Sequence, residues 1–311
     1  MRTFNPTCIY VIESRTEEDR PLLRPSRKNN DLSAGLLAHS LERFDGIELY
    51  AFCFLSNGFR MLLRDPRGEL PKFMEDFKWE LAVKTNKRLG RKKARVFAGK
   101  YTARPVLDDA ELLDVYAEIV CAPVLEGQVS TMAQSPFFGC HELLLGEMRQ
   151  SYEWVDGTLL HNRTRRGQRV PLEEVTFTSE LKLHPLPRID GSPRKESARQ
   201  RRERISGIIA AEEQRAAAER RRTGRKVLGA RKVRSQDPLD HPPRTPMKPL
   251  RFQRSADDPL LLAYEAEVAP VIAAYRKTFR RYLAAAVAGL RRKLVWPPGT
   301  YPPSCLVPAT G

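Results

Sequence analysis

The chain has no run of about 18 apolar residues, so no membrane-spanning helix is expected. It has no CxxC pair, and its five cysteines, Cys8, Cys53, Cys121, Cys140 and Cys305, are scattered and odd in number. Neither a zinc knuckle nor a disulfide framework is indicated, and a reducing cytoplasm is the expected compartment. The start, MRTFNPTCIYVIESR, lacks the basic-then-apolar pattern of a secretory signal. The five histidines, His39, His141, His161, His184 and His241, form no H-x-H or H-x-x-x-H pair. A histidine-built metal centre is therefore not expected. No internal repeat is present.

What is present is positive charge. The 311 residues include 54 Lys and Arg against 38 Asp and Glu, a net charge of +16 with a pI near 9.9. Such an excess points to a polyanionic partner, most often nucleic acid, against the plainer alternative of a solubilising surface. The excess is concentrated: residues 188–234 hold 16 Lys and Arg against six acids and no aromatic residue. That stretch suits tracking a phosphate backbone rather than stacking on bases, or else a solvated charged helix.

Periodicity divides the chain. Residues 1–146 read as one α+β unit. Strands are expected at 8–14, 47–55, 59–64 and 95–106, with Gly99 a bulge or kink. Helices are expected at 30–44, 70–89 and 110–121, the last capped by Asp108-Asp109 and stopped before Pro123. Those two carboxylates could also pass for a metal pair, but capping explains them more simply. The order β-α-β-β-α-β-α implies a ferredoxin-like antiparallel sheet with helices on one face, leaving the other face open to a ligand. Residues 147–187 read as an irregular extension with one short strand at 175–181. A basic helical segment follows at 188–234, its helix over 199–222. Then come a proline-rich linker at 235–256 and C-terminal helices with a Pro-rich tail at 257–311. Within that last part, 260–294 is one or two helices at near-heptad spacing and WPPGTYPP at 296–303 is a rigid turn.

The stretch FLSNGFRMLLR, residues 54–64, reads as a tight hairpin, because Asn-Gly between apolar runs is a strong turn signal. Gly58 and Arg60 then share one strand face. This hairpin, AFCFLSNGFRMLLR at 51–64, is similar to the hairpin of the REP-associated tyrosine transposases, where SNHxHL is usual. GELPKFMEDFKWELAVKTNKRLGR at 68–91 resembles that family's long helix. VFAGKYTARPVLDDAELL at 96–113 resembles its W-x-x-R-Y-x-x-x-x-V-x-D-D passage. AEIVCAPVLEGQV at 117–129 resembles its R-Y-V/I-x-x-N-P/G-V-x-x-G-L-V segment. GRKVLGARKV at 224–233 and LVWPPGTYPP at 294–303 resemble the C-terminal extension of one branch. The ordered set covers about half of the chain.

The resemblance implies a member of the single-tyrosine HUH superfamily acting on single-stranded DNA hairpins. In that family two histidines hold Mg or Mn, and a tyrosine on the third helix attacks the scissile phosphate to form a covalent link. Carried over, the two histidine positions fall on Gly58 and Arg60, the tyrosine on Glu118, and a further polar position on Ala122. Glycine offers no ligand atom, and arginine cannot shed its proton to bind a cation. The resemblance thus implies a DNA-binding protein with no metal, no cofactor and no catalytic residue, and no strand nicking. The alternatives are an active transposase using other residues, such as Tyr116, whose plainer reading is a core or groove tyrosine, and an interaction scaffold or mobile-element relic.

Individual residues have competing readings. Arg60 is expected to bind a phosphate, against the plainer readings of an exposed strand arginine or one paired with Glu118. Tyr101, beside Lys100 and Arg104, could stack on a base or pack in the sheet. Lys72, Lys78, Lys84, Lys87, Lys92 and Lys93 line either a backbone groove or a solvated helix face. On the basic segment, Arg199, Arg201, Arg202, Arg220, Arg221 and Arg222 are the expected phosphate contacts. The partner is nucleic acid, DNA or RNA, and the helices at 260–294 are a candidate homodimer interface.

Overall fold

Four strands bury nearly every residue they contain: β1 (Ile9–Arg15), β2 (Glu48–Leu55), β3 (Gly58–Arg64) and, less fully, β4 (Thr102–Val106). The computed structural model describes residues 5–241, 250–288, 294–297 and 300. Part of the linker at 235–256 and most of the turn at 296–303 lie outside the described residues. The strands form an antiparallel sheet in the order β2-β3-β1-β4. β1 and β2 run parallel with β3 between them, so each connecting helix crosses over one strand, the split arrangement expected of a ferredoxin-like fold.

α1 (Arg27–Arg43) and α2 (Leu70–Arg88) cover one face. Ser26 caps α1 by accepting from the Asn29 amide at 3.2 Å. Asp65 starts α2 by accepting from the Glu69 and Leu70 amides at 2.8 and 2.7 Å. Phe73, Phe77 and Leu81, four residues apart, are buried on one face of α2, and Phe77 packs on Phe54 and Phe59 of the sheet. These aromatic pairs meet edge-on, the arrangement ring quadrupoles favour.

The second face is not open. α3 (Asp109–Val120) and the short α4 (Ala122–Leu125) pack against β2 and β3. The expectation of an exposed sheet face is corrected here. The physical reason lies in the strands themselves: IYVI at 9–12 and YAFCFL at 50–55 are near-continuous apolar runs, which a sheet tolerates only when covered on both sides.

In the extension at 147–187 the expected short strand is present as β6 (Thr176–Lys182), but the rest is not irregular: β5 (Arg149–Val155) pairs with it as a hairpin, with α6 (Gly157–Arg165) between them. It lies on α1, where Gly35 permits the approach: a Cβ there would stand 2.1 Å from the Glu153 carbonyl oxygen. His39 stacks on Trp154 with ring centres 3.5 Å apart. The outer edge of β2 is covered by residues 138–140, which exchange hydrogen bonds with Phe52 and Phe54, and by the His184 amide on Leu49. An edge so paired offers no template for strand addition.

The basic helix α7 (Ala198–Thr223) is docked rather than free. It starts with a capping box between Ser197 and Gln200 and ends at Gly224 in the left-handed conformation. It buries Ile205, Glu212 and Ala216 against α3, α4 and α5 (His141–Leu145). α8 (Ala230–Ser235) follows, and then α9 (Pro259–Val287), a single helix that carries Pro270 in its interior. α9 touches the sheet domain near its start, through Tyr264 on Tyr10 and Glu267 on Asn5. Leu260, Leu262, Leu283 and Val287 stay exposed. No described helix is long and apolar enough to cross a membrane.

Candidate nucleic-acid interface

The hairpin predicted around Asn57 forms with a two-residue turn, Ser56 and Asn57, because Leu55 pairs directly with Gly58. Neither Asn57 nor Gly58 has a positive φ, so the Asn-Gly signal named the hairpin but not the glycine's purpose. That purpose is close packing. A Cβ on Gly58 would lie 2.3 Å from the Ser14 carbonyl oxygen and 3.2 Å from the Arg15 Cα of the neighbouring strand. No side chain fits there, histidine included, unless β1 and β3 separate.

Arg60 does lie on the same face as Gly58, but it is not a surface residue: only 3% of it is exposed. Its Nε donates to Glu13 Oε1 at 2.6 Å, and its Nη1 lies 3.2 Å from Glu126 Oε1. The expected phosphate contact is corrected: the guanidinium is spent on two carboxylates in a closed site. The expected partner Glu118 is corrected too, since Glu13 opposes Arg60 in strand register and Glu126 follows α4. The residues here do not fit a divalent metal, because a fixed cation already stands between the acids. Among the described residues, no group of three or more His, Cys, Asp or Glu side chains is placed to hold one.

Glu118, 4% exposed, faces a different partner. It accepts from the Arg251 backbone amide at 2.9 Å and from Arg251 Nε at 2.8 Å. Arg251 also reaches Glu212 of α7 at 3.0 Å. Three residues on, Arg254 pairs with Asp108, with Glu111 at 3.0 Å and with Asp258 at 2.9 Å. The end of the expected linker is therefore stapled across α3 by two arginines. Asp108 caps α3, as expected, by accepting from the Glu111 amide at 2.8 Å. Burial works against its charge, but that amide and the Arg254 guanidinium hold its carboxyl below the ordinary value. Ala122 is fully buried at the start of α4.

Tyr116 is 1% exposed, with the Arg204 guanidinium over its ring at 5.6 Å. Burial raises its phenol far above the ordinary value. A protonated, enclosed phenol is neither reachable by a phosphate nor poised to attack one, so its proposed role as substitute nucleophile is corrected. Tyr101, 7% exposed, belongs to the core rather than to a stacking surface. Arg104 is held by Glu111. Lys100, Lys92 and Lys93 are exposed. Of the helix lysines, Lys72 pairs with Asp76, Lys78 donates to the Gly99 carbonyl and Lys84 to the Val155 carbonyl.

The six arginines singled out on α7 divide by face. Arg201 donates to the carbonyls of Leu144 and Gly146 at 3.2 and 2.9 Å, so it fastens the helix to α5 instead of facing solvent. Arg199 is exposed but paired with Glu203 at 2.8 Å. Arg220 is half-buried, while Arg202, Arg221 and Arg222 are exposed. Beyond α7, Arg225, Lys226, Arg231, Lys232 and Arg234 are exposed as well. Among the described residues, no carboxylate is paired with these five or with Arg202, Arg221 and Arg222. Sequence reasoning missed Glu13 and Glu126 as partners of Arg60. It also missed Arg251 and Arg254, hidden in a stretch whose prolines mark a linker. The only signal for them was Leu250, an apolar residue directly before an arginine pair three apart.

No protein-family model matches the chain, and no curated protein matches it. Among solved structures, a REP-associated tyrosine transposase bound to a REP hairpin is similar at 13% identity and a TM-score of 0.36, over 63% of this chain and 98% of that one. A likeness of that depth assigns neither family nor activity.

Proposed function

We propose that this protein binds nucleic acid, with single-stranded or hairpin DNA the favoured ligand, and holds it without cutting. The observation that supports this is the run of free cations from the end of α7 through α8: Arg221, Arg222, Arg225, Lys226, Arg231, Lys232 and Arg234, all exposed. A one-signed strip with no aromatic residue attracts phosphates without reading bases. The preference for hairpin DNA comes from the resemblance of residues 51–129. The absence of cutting is argued from the enclosed Arg60, Glu118 and Tyr116, none of which offers a nucleophile or a metal ligand to solvent.

The test is a titration of a labelled DNA hairpin at several salt concentrations, followed by incubation with magnesium or manganese on a denaturing gel. With about five phosphates engaged, log affinity falls against log salt with a slope of about −3.5. Substituting Arg221, Arg222, Arg225 and Lys226 by glutamine lowers that slope. A salt-independent affinity overturns the binding proposal, and a covalent protein–DNA band overturns the claim that the strand stays intact.

A further inference from the structure

Between α1, α2 and the corner where β5 meets α6 lies a groove of about 1630 Å³. Helical spacing builds its two long walls. On α2, Trp79, Val83 and Lys87 stand four residues apart and share one face; on α1, Lys28, Leu32 and Leu36 do the same. Arg43, at the end of α1, pairs with Asp76 and Glu80 of α2 at 3.0 and 3.6 Å, so the two helices run antiparallel. Lys28 and Lys87 therefore come to the same end of the groove, where Arg88 lies too. The rest of the lining is largely apolar. Trp79 is 62% exposed, and Val83 and Leu172 in the same groove are exposed as well.

Four carboxylates line the groove, and three of them are engaged. Asp31 lies 3.9 Å from Arg27, and Glu80 pairs with Arg43. Asp156 caps α6 by accepting from the Thr158 and Leu159 amides at 2.9 and 2.8 Å. Glu153 is the fourth. Of the five lining cations, Arg43 is held by Asp76 and Glu80, and Lys84 donates to the Val155 carbonyl at 2.6 Å. Lys28, Lys87 and Arg88 enter no ion pair among the described residues. The uncommitted charge is thus three cations against one acid, with the cations gathered at one end. An exposed tryptophan beside unpaired cations meets both needs of a single nucleic-acid strand, whose bases offer flat faces for stacking and whose phosphates carry the negative charge.

We infer that this groove seats an unpaired stretch of the bound strand, with a base against Trp79 and Val83 and the flanking phosphates on Lys28, Lys87 and Arg88. Trp79 and Lys87 are eight residues apart, about 12 Å along the helix, which spans a base and its neighbouring phosphates. The volume exceeds the roughly 300–1,000 Å³ of a small-molecule cleft, which suits an extended strand better than one free nucleotide. The groove also adjoins the cationic strip. α8 ends at Ser235, the Gln236 carbonyl accepts from Arg24 at 2.6 Å, and α1 begins three residues after Arg24 with Arg27 and Lys28. This rests on the nucleic-acid reading and adds the base-stacking surface that the strip lacks. The stacking role expected of Tyr101, which is buried, passes to Trp79.

The experiment uses the full chain, Trp79→Ala, and the double variant Lys28→Gln, Lys87→Gln. These side chains are exposed, so both variants melt as the wild type does. Each protein is titrated with a labelled single-stranded oligonucleotide and with a duplex of the same length at several salt concentrations. W79A weakens single-strand binding about tenfold, leaves duplex binding unchanged and keeps the salt slope. The lysine variant lowers the single-strand slope by about 1.4. Unchanged single-strand affinity in W79A overturns the groove as a seat while leaving the nucleic-acid reading intact. Equal weakening on the duplex overturns the stacking of an unpaired base. A wild type that binds no oligonucleotide overturns both readings, and fluorescence quenching by deoxyadenosine monophosphate, absent in W79A, would then give the groove to a free nucleotide. A dimer that W79A converts to monomer in sedimentation, with oligonucleotide affinity unchanged, gives the groove to a second copy of the chain and overturns the strand.

Discussion

Replacing Arg60 by alanine leaves Glu13 and Glu126 facing one another across the space that a guanidinium filled, 2.6 and 3.2 Å from its nitrogens. Breaking a buried ion pair by removing one partner costs about 3–5 kcal/mol, mostly the penalty of the stranded charge. Here the Glu13 side chain is 23% exposed and water reaches it, so the lower end, about 3 kcal/mol, applies. For a domain of this size each kcal/mol moves the melting temperature by about 2–4 °C, giving a fall of about 6–12 °C. The assay is thermal melting of wild type, of R60A, and of a triple variant Glu13→Gln, Arg60→Met, Glu126→Gln. The triple variant recovers most of the loss, because neutralising a whole buried network is far cheaper than orphaning one member. Below its melting range R60A binds DNA as tightly as wild type. An R60A protein with unchanged melting and lost DNA affinity would refute this reasoning, for it would mean that the guanidinium reaches phosphate and not carboxylate.

Three further outcomes follow from the same geometry. The double variant Gly58→His, Arg60→His restores the histidine pair of the resembled hairpin yet binds no metal by calorimetry and melts well below R60A, since the new Cβ meets the Ser14 carbonyl. Arg251→Ala strips the counter-charge from Glu118 and Glu212 and costs about 2 kcal/mol, discounted because Arg251 is 36% exposed. It also opens the chain near residue 250 to limited proteolysis, whereas Glu118→Gln, which still accepts from the Arg251 amide, opens it less. Burial holds His39, His141 and His184 below the ordinary imidazole value. The unfolded chain therefore takes up these protons first as pH falls, so stability is flat above neutrality, drops below about pH 6.5 and levels off beneath the folded values. Melting temperatures measured from pH 8 to pH 5 check this, and a rise on acidification contradicts it.

The central sheet and its first three helices were legible because their signals are local. Apolar spacing in Phe73, Phe77 and Leu81 names a helix, and Asp108 names its own cap. Two things were not legible for the same reason. The covering of the second sheet face depends on what α3 meets after the chain turns, although the unbroken runs IYVI and YAFCFL carried the hint. The strand RQSYEWV at 149–155 was passed over because only Tyr152 and Trp154 alternate in it; its fit depends on Gly35, more than a hundred residues away. Within the candidate site, the shared face of Gly58 and Arg60 followed from strand period alone. Their partners did not, because a buried arginine and an exposed one look alike in sequence.

Those partners decide what kind of protein this can be. At each of these positions where the resemblance would put catalysis, the residue is enclosed and committed: Gly58 to close backbone packing, Arg60 to two acids, Glu118 to Arg251. The acids paired there outnumber the arginines, so the interior of the α3 face exerts no pull on a polyanion. The unbalanced charge lies elsewhere, on the exposed end of α7 and on α8. A strand drawn by Coulomb attraction would follow that outer route and would not enter the enclosed centre. Substitutions at Arg60 and Glu118 should then register as stability, and substitutions at Arg221, Arg222, Arg225 and Lys226 as affinity. A single set of purified variants, melted and titrated side by side, separates the two groups, and an overlap between them would break the argument.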